Sequence, residues 1–241
     1  MNESNDKPAV AFLLYPDCTL LDFAGAAQVF AYAGFRTVWV AETSDPILTS
    51  EGVSVMPAAT FDDYPSIYML FVPGGGGKGV SQAMLNPTLQ KFVKTAAVSA
   101  QWAGSICTGA FIVATAGLLD GCKATTYWSV LDALALFPEL EVDTDTYPRY
   151  LLDQEKHRFS GGGISSSIDI ALELVATING VPEAEATDLM IQYAPDPPVH
   201  SGDPSQATPK LVDEIRAKQK KLFIQPITDT TKQVIGSGLD L

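Results

Sequence analysis

Short, solidly apolar runs alternate along the chain with longer segments whose apolar residues recur at helical spacing. The apolar runs predict four buried strands, at residues 8–14, 37–41, 68–72 and 102–106. The helical patterns predict helices at residues 20–33, 81–99 (with a break at Asn86-Pro87), 108–116, 165–179, 183–193 and 211–223. Alternation of this kind predicts an α/β fold with a mostly parallel sheet and helices on both faces.

Three weaker patterns complete the chain. They predict a small hairpin at a sheet edge at residues 47–57 and further short strands at residues 118–128 and 150–160. They also predict an ordered surface arm at residues 194–209. Because no long polar linker interrupts the 241 residues, we expect a single domain over 1–241. Within it, 1–7 is expected to be a flexible N-terminus, and 194–241 a Pro-rich arm with a C-terminal helix.

The composition excludes several classes of function. With 46% hydrophobic and 18% charged residues the chain is globular, and its net charge of −13 argues against binding to nucleic acid or to an anionic membrane surface. No apolar run is long enough to span a membrane, and the polar start lacks the pattern of a signal peptide. Three cysteines without metal-ligand spacing predict free thiols, no metal and a cytoplasmic location.

Sites in parallel α/β sheets lie at the carboxyl ends of the strands, which directs attention to the loops after Leu14, Val72 and Ile106. In the last of these, Cys107 stands between a strand and a helix with small neighbours, as in a nucleophile elbow, the tight turn that exposes a nucleophile above the sheet. A helix N-terminus would lower the pKa of this thiol and favour the thiolate. A buried structural cysteine is the alternative.

The loop after Val72 is the run Pro-Gly-Gly-Gly-Gly at 73–77. Its backbone N–H groups could form an oxyanion hole opposite Cys107, or the loop could be a simple tight turn. A phosphate cradle is not favoured, since Lys78 lacks the required motif.

Asp22 lies in an otherwise apolar helix start, where it could cap the helix or move protons beside Cys107. His157 and His200 are not adjacent to the elbow and are expected to be exposed or structural. The glycines at 161–163 could bring backbone close to a ligand, or form a turn before a helix. Trp128 could be an aromatic wall or a core residue.

Together these residues carry a resemblance to the ThiJ/PfpI superfamily (class I glutamine amidotransferase-like), and within it to the isonitrile (isocyanide) hydratase branch. The matching segments are residues 11–16, 21–25, 72–75, 105–111, 116–121, 124–128, 161–164, 168–169 and 192–198. The resemblance implies a flavodoxin-like fold, a homodimer and a small-molecule substrate, with no metal or organic cofactor.

The resemblance also implies the site residues. Cys107 would be the nucleophile and Asp22 and Thr108 its close polar partners. The substrate pocket would be shaped by Gly74, Gly75, Gly76, Trp128, Gly162 and Ile164. The implied reaction is hydration of an isonitrile to an N-substituted formamide, through a covalent thioimidate on Cys107, with Asp22 moving the proton and orienting water.

Two positions depart from relatives. Thr108 stands where superfamily peptidases have His, which removes support for peptidase activity. Tyr127 stands where the hydratase branch often has His, which removes a titratable group from the pocket region.

Three other functions stay open. Glyoxalase-like chemistry is less favoured, because Asp22 stands where those relatives usually have Glu. The sensor domain of an AraC-type regulator is related, but few residues follow Tyr193 and the charge is acidic. A redox sensor would use oxidation of Cys107.

Overall fold

The structure is a computed structural model that describes residues 7–237. Apart from Lys7, the predicted flexible N-terminus lies outside the described residues. The strands are β1 Ala9–Leu13, β2 Arg36–Ala41, β3 Ile47–Leu48, β4 Ser54–Val55, β5 Ala59–Thr60, β6 Met69–Val72, β7 Trp102–Ile106, β8 Tyr150–Asp153 and β9 Arg158–Gly161. The α-helices are α1 Leu20–Tyr32, α2 Gly77–Leu85, α3 Pro87–Ser99, α4 Gly109–Thr115, α5 Leu131–Leu134, α6 Ser166–Asn179, α7 Val181–Ile191, α8 Pro209–Gln219 and α9 Gln225–Ser237.

Seven strands form one sheet in the order β5-β2-β1-β6-β7-β9-β8. All neighbours are parallel except β8, which runs antiparallel to β9. This arrangement confirms the predicted α/β fold with a mostly parallel sheet. Every residue of β1, β6 and β7 is buried, which explains why their sequences are continuously apolar or small.

The register of the central strands brings the predicted loops together. Val72 at the end of β6 lies beside Ser105 in β7, and Ile106 lies beside Gly161 in β9. The loops that follow β6, β7 and β9 therefore leave the sheet on the same side, at the carboxyl ends of the strands. Helices pack around the sheet in two groups, one of α1, α6 and α7 and the other of α2, α4 and α9.

A cluster of aromatic rings packs in the core around β1. Phe12 on β1 contacts the rings of Phe30, Trp39 and Phe71 at centroid distances of 5.2–6.3 Å. Offset and tilted contacts of this kind add to the free energy of apolar burial. The strands that carry the site therefore rest on a rigid base.

Two predictions about strands were wrong. Residues 118–128 form turns with a single isolated bridge between Lys123 and Glu141, because Gly117 and Gly121 adopt positive φ and reverse the chain. The 47–57 hairpin forms, but as a separate two-stranded ribbon, since the sheet edge is taken by the unpredicted strand β5.

The C-terminal helix is longer than predicted. Beyond α8 the chain makes a π-helical turn at Lys220–Ile224 and continues into α9. Ile227, Thr231 and Val234 of α9 are buried at helical spacing, and α9 packs on α2. Pro226 obscured this helix in the sequence, although proline fits the first turn of a helix.

None of the helices within residues 7–237 combines the length and the apolar character that a membrane crossing requires.

Candidate active site

Cys107 occupies a strained turn between β7 and α4. Its φ of +55° is in the left-handed region that non-glycine residues seldom adopt. Cys107 N donates to Gly162 O at 2.8 Å and to Gly161 O at 3.0 Å. On the other side of the residue, Thr126 Oγ1 donates to Cys107 O at 2.8 Å. Neighbouring loops thus hold the backbone of the elbow in its unfavourable conformation.

The glycine loop after β6 lies directly against the elbow. A Cβ on Gly74 would stand 2.6 Å from Thr108 N and 2.8 Å from Cys107 Cβ, so no side chain fits there. Gly75 N donates to Thr108 Oγ1 at 3.0 Å, and that hydroxyl is 3.1 Å from Gly75 O. Thr108 therefore fastens the glycine loop to the start of α4.

Asp22 reaches the same place from α1. Its side chain is completely buried, and Oδ2 accepts a hydrogen bond of 2.8 Å from Gly74 N. The carboxyl group lies close enough to the Cys107 thiol for the two groups to influence each other's pKa. Asp22 Oδ1 has no further partner among the described residues. The structure thus brings Cys107, Asp22, Thr108 and Gly74 into one cluster.

Burial dominates the proton equilibria of this cluster. It raises the pKa of the Asp22 carboxyl well above the ordinary value, against the opposing hydrogen bond from Gly74. Burial, and then the charge of Asp22, also raise the pKa of the Cys107 thiol, while hydrogen bonds to Thr108 lower it by less. The predicted net lowering of this pKa was therefore wrong. Because Asp22 and Cys107 interact closely, they titrate as a pair that keeps a proton at neutral pH.

Two residues near the cluster were missed in the sequence. Tyr15, directly after β1, is buried, and its hydroxyl donates to Pro73 O at 3.0 Å beside the glycine loop. Glu51 in the β3–β4 hairpin accepts a hydrogen bond of 2.9 Å from Leu20 N, at the start of α1. The position of Tyr15 at a carboxyl strand end was an available signal. Glu51 lies 31 residues from Leu20 along the chain, and no sequence pattern indicated a contact between them.

A cavity of about 1200 Å³ adjoins the cluster. Its wall includes Trp128, Gly162 and Ile164 of the predicted pocket residues, and it excludes Cys107, Asp22, Thr108 and the glycine loop. Three residues of the cavity wall are neighbours of Asp22 or Cys107. Leu21 precedes Asp22 in the sequence, and Thr126 and Gly162 form hydrogen bonds with the Cys107 backbone. Cys107 as a whole residue is 4% exposed and is absent from the cavity wall, so the cavity lies beside Cys107 rather than over it.

The far wall of the cavity comes from the arm (residues 194–208) and α8. Gln219 Nε2 donates to the hydroxyl of Tyr127 at 3.0 Å, and the Phe223 ring meets the Tyr127 ring edge-on at 5.6 Å. The Arg216 guanidinium lies 5.4 Å from the Trp128 ring centre. The predicted aromatic pair 127–128 therefore anchors the C-terminal segment as well as lining the cavity.

At the entrance to the arm, Asp169 forms an ion pair with Arg149 and accepts a hydrogen bond of 2.9 Å from the Tyr193 hydroxyl. His157 lies in the turn between β8 and β9, against Trp102 and at the opposite edge of the sheet. His200 lines the cavity from the arm. The described residues contain no group of three or more metal-ligating side chains close enough to hold an ion.

The chain resembles known proteins over most of its length. The model of the DJ-1/PfpI family matches residues 8–175. The chain is 34% identical over 212 residues to an isonitrile hydratase of Pseudomonas putida, covering 87% of this chain and 89% of the relative. It is 26% identical to the HTH-type transcriptional regulator GbdR of Pseudomonas aeruginosa, over 79% of this chain and 52% of that protein.

Among solved structures, a ThiJ/PfpI family protein from Pseudomonas syringae superposes with a TM-score of 0.86 at 30% identity, covering 96% of this chain and 94% of that one. The match includes the sheet and the helices that carry the cluster, and it extends beyond residue 175. The protein is therefore a member of the DJ-1/PfpI family.

Proposed function

We propose that the protein hydrates isonitriles to N-substituted formamides, with Cys107 as nucleophile and Asp22 as proton carrier. The observation that carries this proposal is the buried Asp22–Cys107 pair at a strained elbow. The pair places a nucleophile and a proton at one point, which is what addition to an isonitrile carbon needs. Similarity to an isonitrile hydratase over most of the chain supports the same reaction.

The first step adds the thiol across the terminal carbon of the substrate. The sulfur of Cys107 forms a bond to that carbon, and the proton held by the pair goes to the same carbon. The product is a thioimidate, Cys–S–CH=N–R, in which nothing has been oxidised or reduced. Gly74 N–H keeps Asp22 Oδ2 in place, so its free oxygen Oδ1 can face the reacting atoms.

The second step hydrolyses the thioimidate. Asp22 orients a water molecule, the water oxygen bonds to the thioimidate carbon, and a proton moves to nitrogen. The C–S bond then breaks and the sulfur recovers its proton. The sum is R–NC plus water giving R–NH–CHO, so the pair returns to its starting state.

The shape of the site fits a slim reactive group. An isonitrile ends in a linear N–C unit, which is narrow enough to suit a cysteine residue that is only 4% exposed. The larger substituent would occupy the adjoining cavity, against Trp128, Ile164 and Gly162. Tyr127 would act there as a wall residue held by Gln219 rather than as an acid or base.

A homodimer is part of this proposal. Helix α7 has one buried residue, Thr187, and it leaves Leu189 and Met190 80% and 51% exposed. Adjacent large apolar side chains at the surface support contact with a second copy. Sedimentation velocity that gives a monomer at micromolar concentration would contradict this part.

The test is formamide formation from an aromatic isonitrile by wild type, Cys107→Ala and Cys122→Ala. We expect Cys107→Ala to lose at least about a thousandfold in kcat, because the covalent route is removed. Cys122 is also buried but lies elsewhere, so Cys122→Ala should keep wild-type turnover. Hydration by Cys107→Ala at the wild-type rate would remove the thiol from the mechanism.

A ligand sensor is the second candidate, since the chain resembles about half of the regulator GbdR. It predicts that isonitriles or other small molecules bind with no turnover by wild type. Calorimetric binding without formamide formation would favour this candidate over the enzyme.

A further inference from the structure

Helix α1, which carries Asp22, begins without a cap of its own. Thr19 stands at the N-cap position, but its hydroxyl makes no capping hydrogen bond. The acceptor comes from the β3–β4 hairpin instead, where Glu51 Oε2 accepts a hydrogen bond of 2.9 Å from Leu20 N. Because the first N–H groups of a helix need acceptors, Glu51 completes the helical turn that ends at Asp22.

The hairpin is held in place for this contact. Ser50 N donates to Cys18 O at 3.0 Å, which joins the hairpin backbone to the loop before α1. Ser50 Oγ donates to Glu51 Oε1 at 2.8 Å, so both carboxylate oxygens of Glu51 are engaged. The negative charge of Glu51 therefore has a defined position at the N-terminus of α1.

The titratable groups around Asp22 come from three elements. Cys107 faces it from the elbow, Glu51 acts on it from the hairpin, and Tyr15 and Cys18 lie in the loop after β1. Burial raises the pKa of Tyr15 above its ordinary value and that of Cys18 to about 12, so both are neutral at pH 7.

Glu51 differs from these groups because it stays ionised. Burial opposes its ionisation, yet the hydrogen bonds from Leu20 and Ser50 leave its pKa below the ordinary value. Burial is the main reason why the pKa of Asp22 is raised, and the charge of Glu51 raises it further.

We propose that Glu51 is a positioning residue for Asp22, which caps α1 from the hairpin and adds a fixed negative charge that favours the protonated form of the Asp22–Cys107 pair. This inference rests on the proposed role of the pair in isonitrile hydration. A role in capping alone would affect the placement of Asp22, and a role of the charge would affect its proton as well.

Two variants separate these roles. Glu51→Gln keeps an oxygen that can accept from Leu20 N and removes the charge, whereas Glu51→Ala removes both. Glu42→Gln is the matched control, since Glu42 is an exposed acid bonded to Asn86. The readouts are the pH profile of turnover and the pH profile of Cys107 alkylation by iodoacetamide, followed by mass spectrometry of the Cys107 peptide.

Removal of a nearby negative charge favours the deprotonated form of the pair. Both pH profiles of Glu51→Gln should therefore move to lower pH, by about half a pH unit, with kcat at its optimum little changed. Glu51→Ala should show the same shift and a further loss of about tenfold in kcat, because the first turn of α1 loosens. Glu42→Gln should match wild type.

Each contrary result is decisive. Unshifted profiles for Glu51→Gln, or an equal shift for Glu42→Gln, would overturn the electrostatic role. Equal kcat values for Glu51→Gln and Glu51→Ala would overturn the capping role. Alkylation needs no isonitrile, so a wild type that forms no formamide would count against the proposed function while the alkylation profiles still decide the electrostatic role of Glu51. They do so with Glu51→Gln alone if Glu51→Ala does not fold.

Discussion

The elbow lies beside the cavity, the C-terminal arm with α8 forms the far wall of that cavity, and the two regions are built in opposite ways. Every residue from 102 to 114 is buried, and main-chain hydrogen bonds from neighbouring loops hold Cys107. Between residues 194 and 219 no residue is buried, and side-chain contacts such as Gln219 to Tyr127 attach the segment. Under the proposed function, this difference would assign reactivity to the buried interior and substrate selectivity to the exposed wall of the cavity.

Among the substitutions that test this contrast between the elbow and the arm, the largest effect on kcat is expected at Asp22. Asp22→Asn keeps the shape of the side chain but cannot deliver a proton, so kcat should fall by about 10²–10⁴. The amide avoids the cost of burying a charge, so the free energy of unfolding should not fall in proportion. Steady-state formamide formation beside urea denaturation measures both. Asp132→Asn, at an exposed site on α5, is the control. Equal rates in Asp22→Asn and wild type would remove Asp22 from the mechanism.

The next effect concerns the packing of the elbow. In Gly74→Ala the new methyl group would collide with Thr108 N and the Cys107 Cβ, so the loop must shift. We expect a loss of about 1–3 kcal/mol in unfolding free energy and at least a tenfold loss of kcat.

Gly236→Ala is the matched control for Gly74→Ala. Position 236 lies in α9, and apart from its chain neighbours and the nearby backbone of the helix, no atom of residues 7–237 lies within 4 Å of the new Cβ, so alanine should be neutral or stabilise by up to about 1 kcal/mol. Thermal denaturation compares the two variants. If Gly74→Ala melted with wild type and kept its activity, the contrast between rigid elbow and tolerant arm would be lost.

The smallest effect is expected in the arm and α8. Ile215 lines the cavity, and Ile215→Trp would fill part of it. We expect kcat/KM to fall about tenfold for a naphthyl isonitrile and to stay unchanged for a methyl isonitrile. Leu222→Trp, at a position 83% exposed and outside the cavity wall, should change neither value. Equal losses on both substrates would show that the cavity does not hold the substituent.

The sequence was informative where one strand or one turn determines the structure. The apolar runs of β1, β6 and β7 located the sheet, and the small residues around Cys107 predicted the elbow. Proximity of Asp22 to Cys107 followed from the resemblance, since the two residues lie 85 positions apart. Local pattern could not supply the depth of burial, and that depth raises the pKa of Cys107 that the helix N-terminus alone would lower.

Two of the remaining errors originate in long-range contacts, and a third originates in local turn geometry. Glu51 caps a helix from a separate ribbon, and no local spacing connects it to Leu20. The cavity forms because the arm returns toward residues 127–128, and this depends on tertiary contacts with Gln219 and Arg216. The strand predicted at 118–128 failed because positive-φ glycines outweighed its apolar composition.

The positive φ of Cys107 has a consequence for how this protein changes over generations. Glycine adopts that conformation without the cost of about 1 kcal/mol that a side chain incurs, so under the proposed function a mutation to glycine at this position would relieve backbone strain while ending the chemistry. Selection for stability and selection for catalysis therefore oppose each other at a single codon. In a lineage that no longer needed the reaction, position 107 would be among the first to drift, and the fold would survive the loss of its nucleophile.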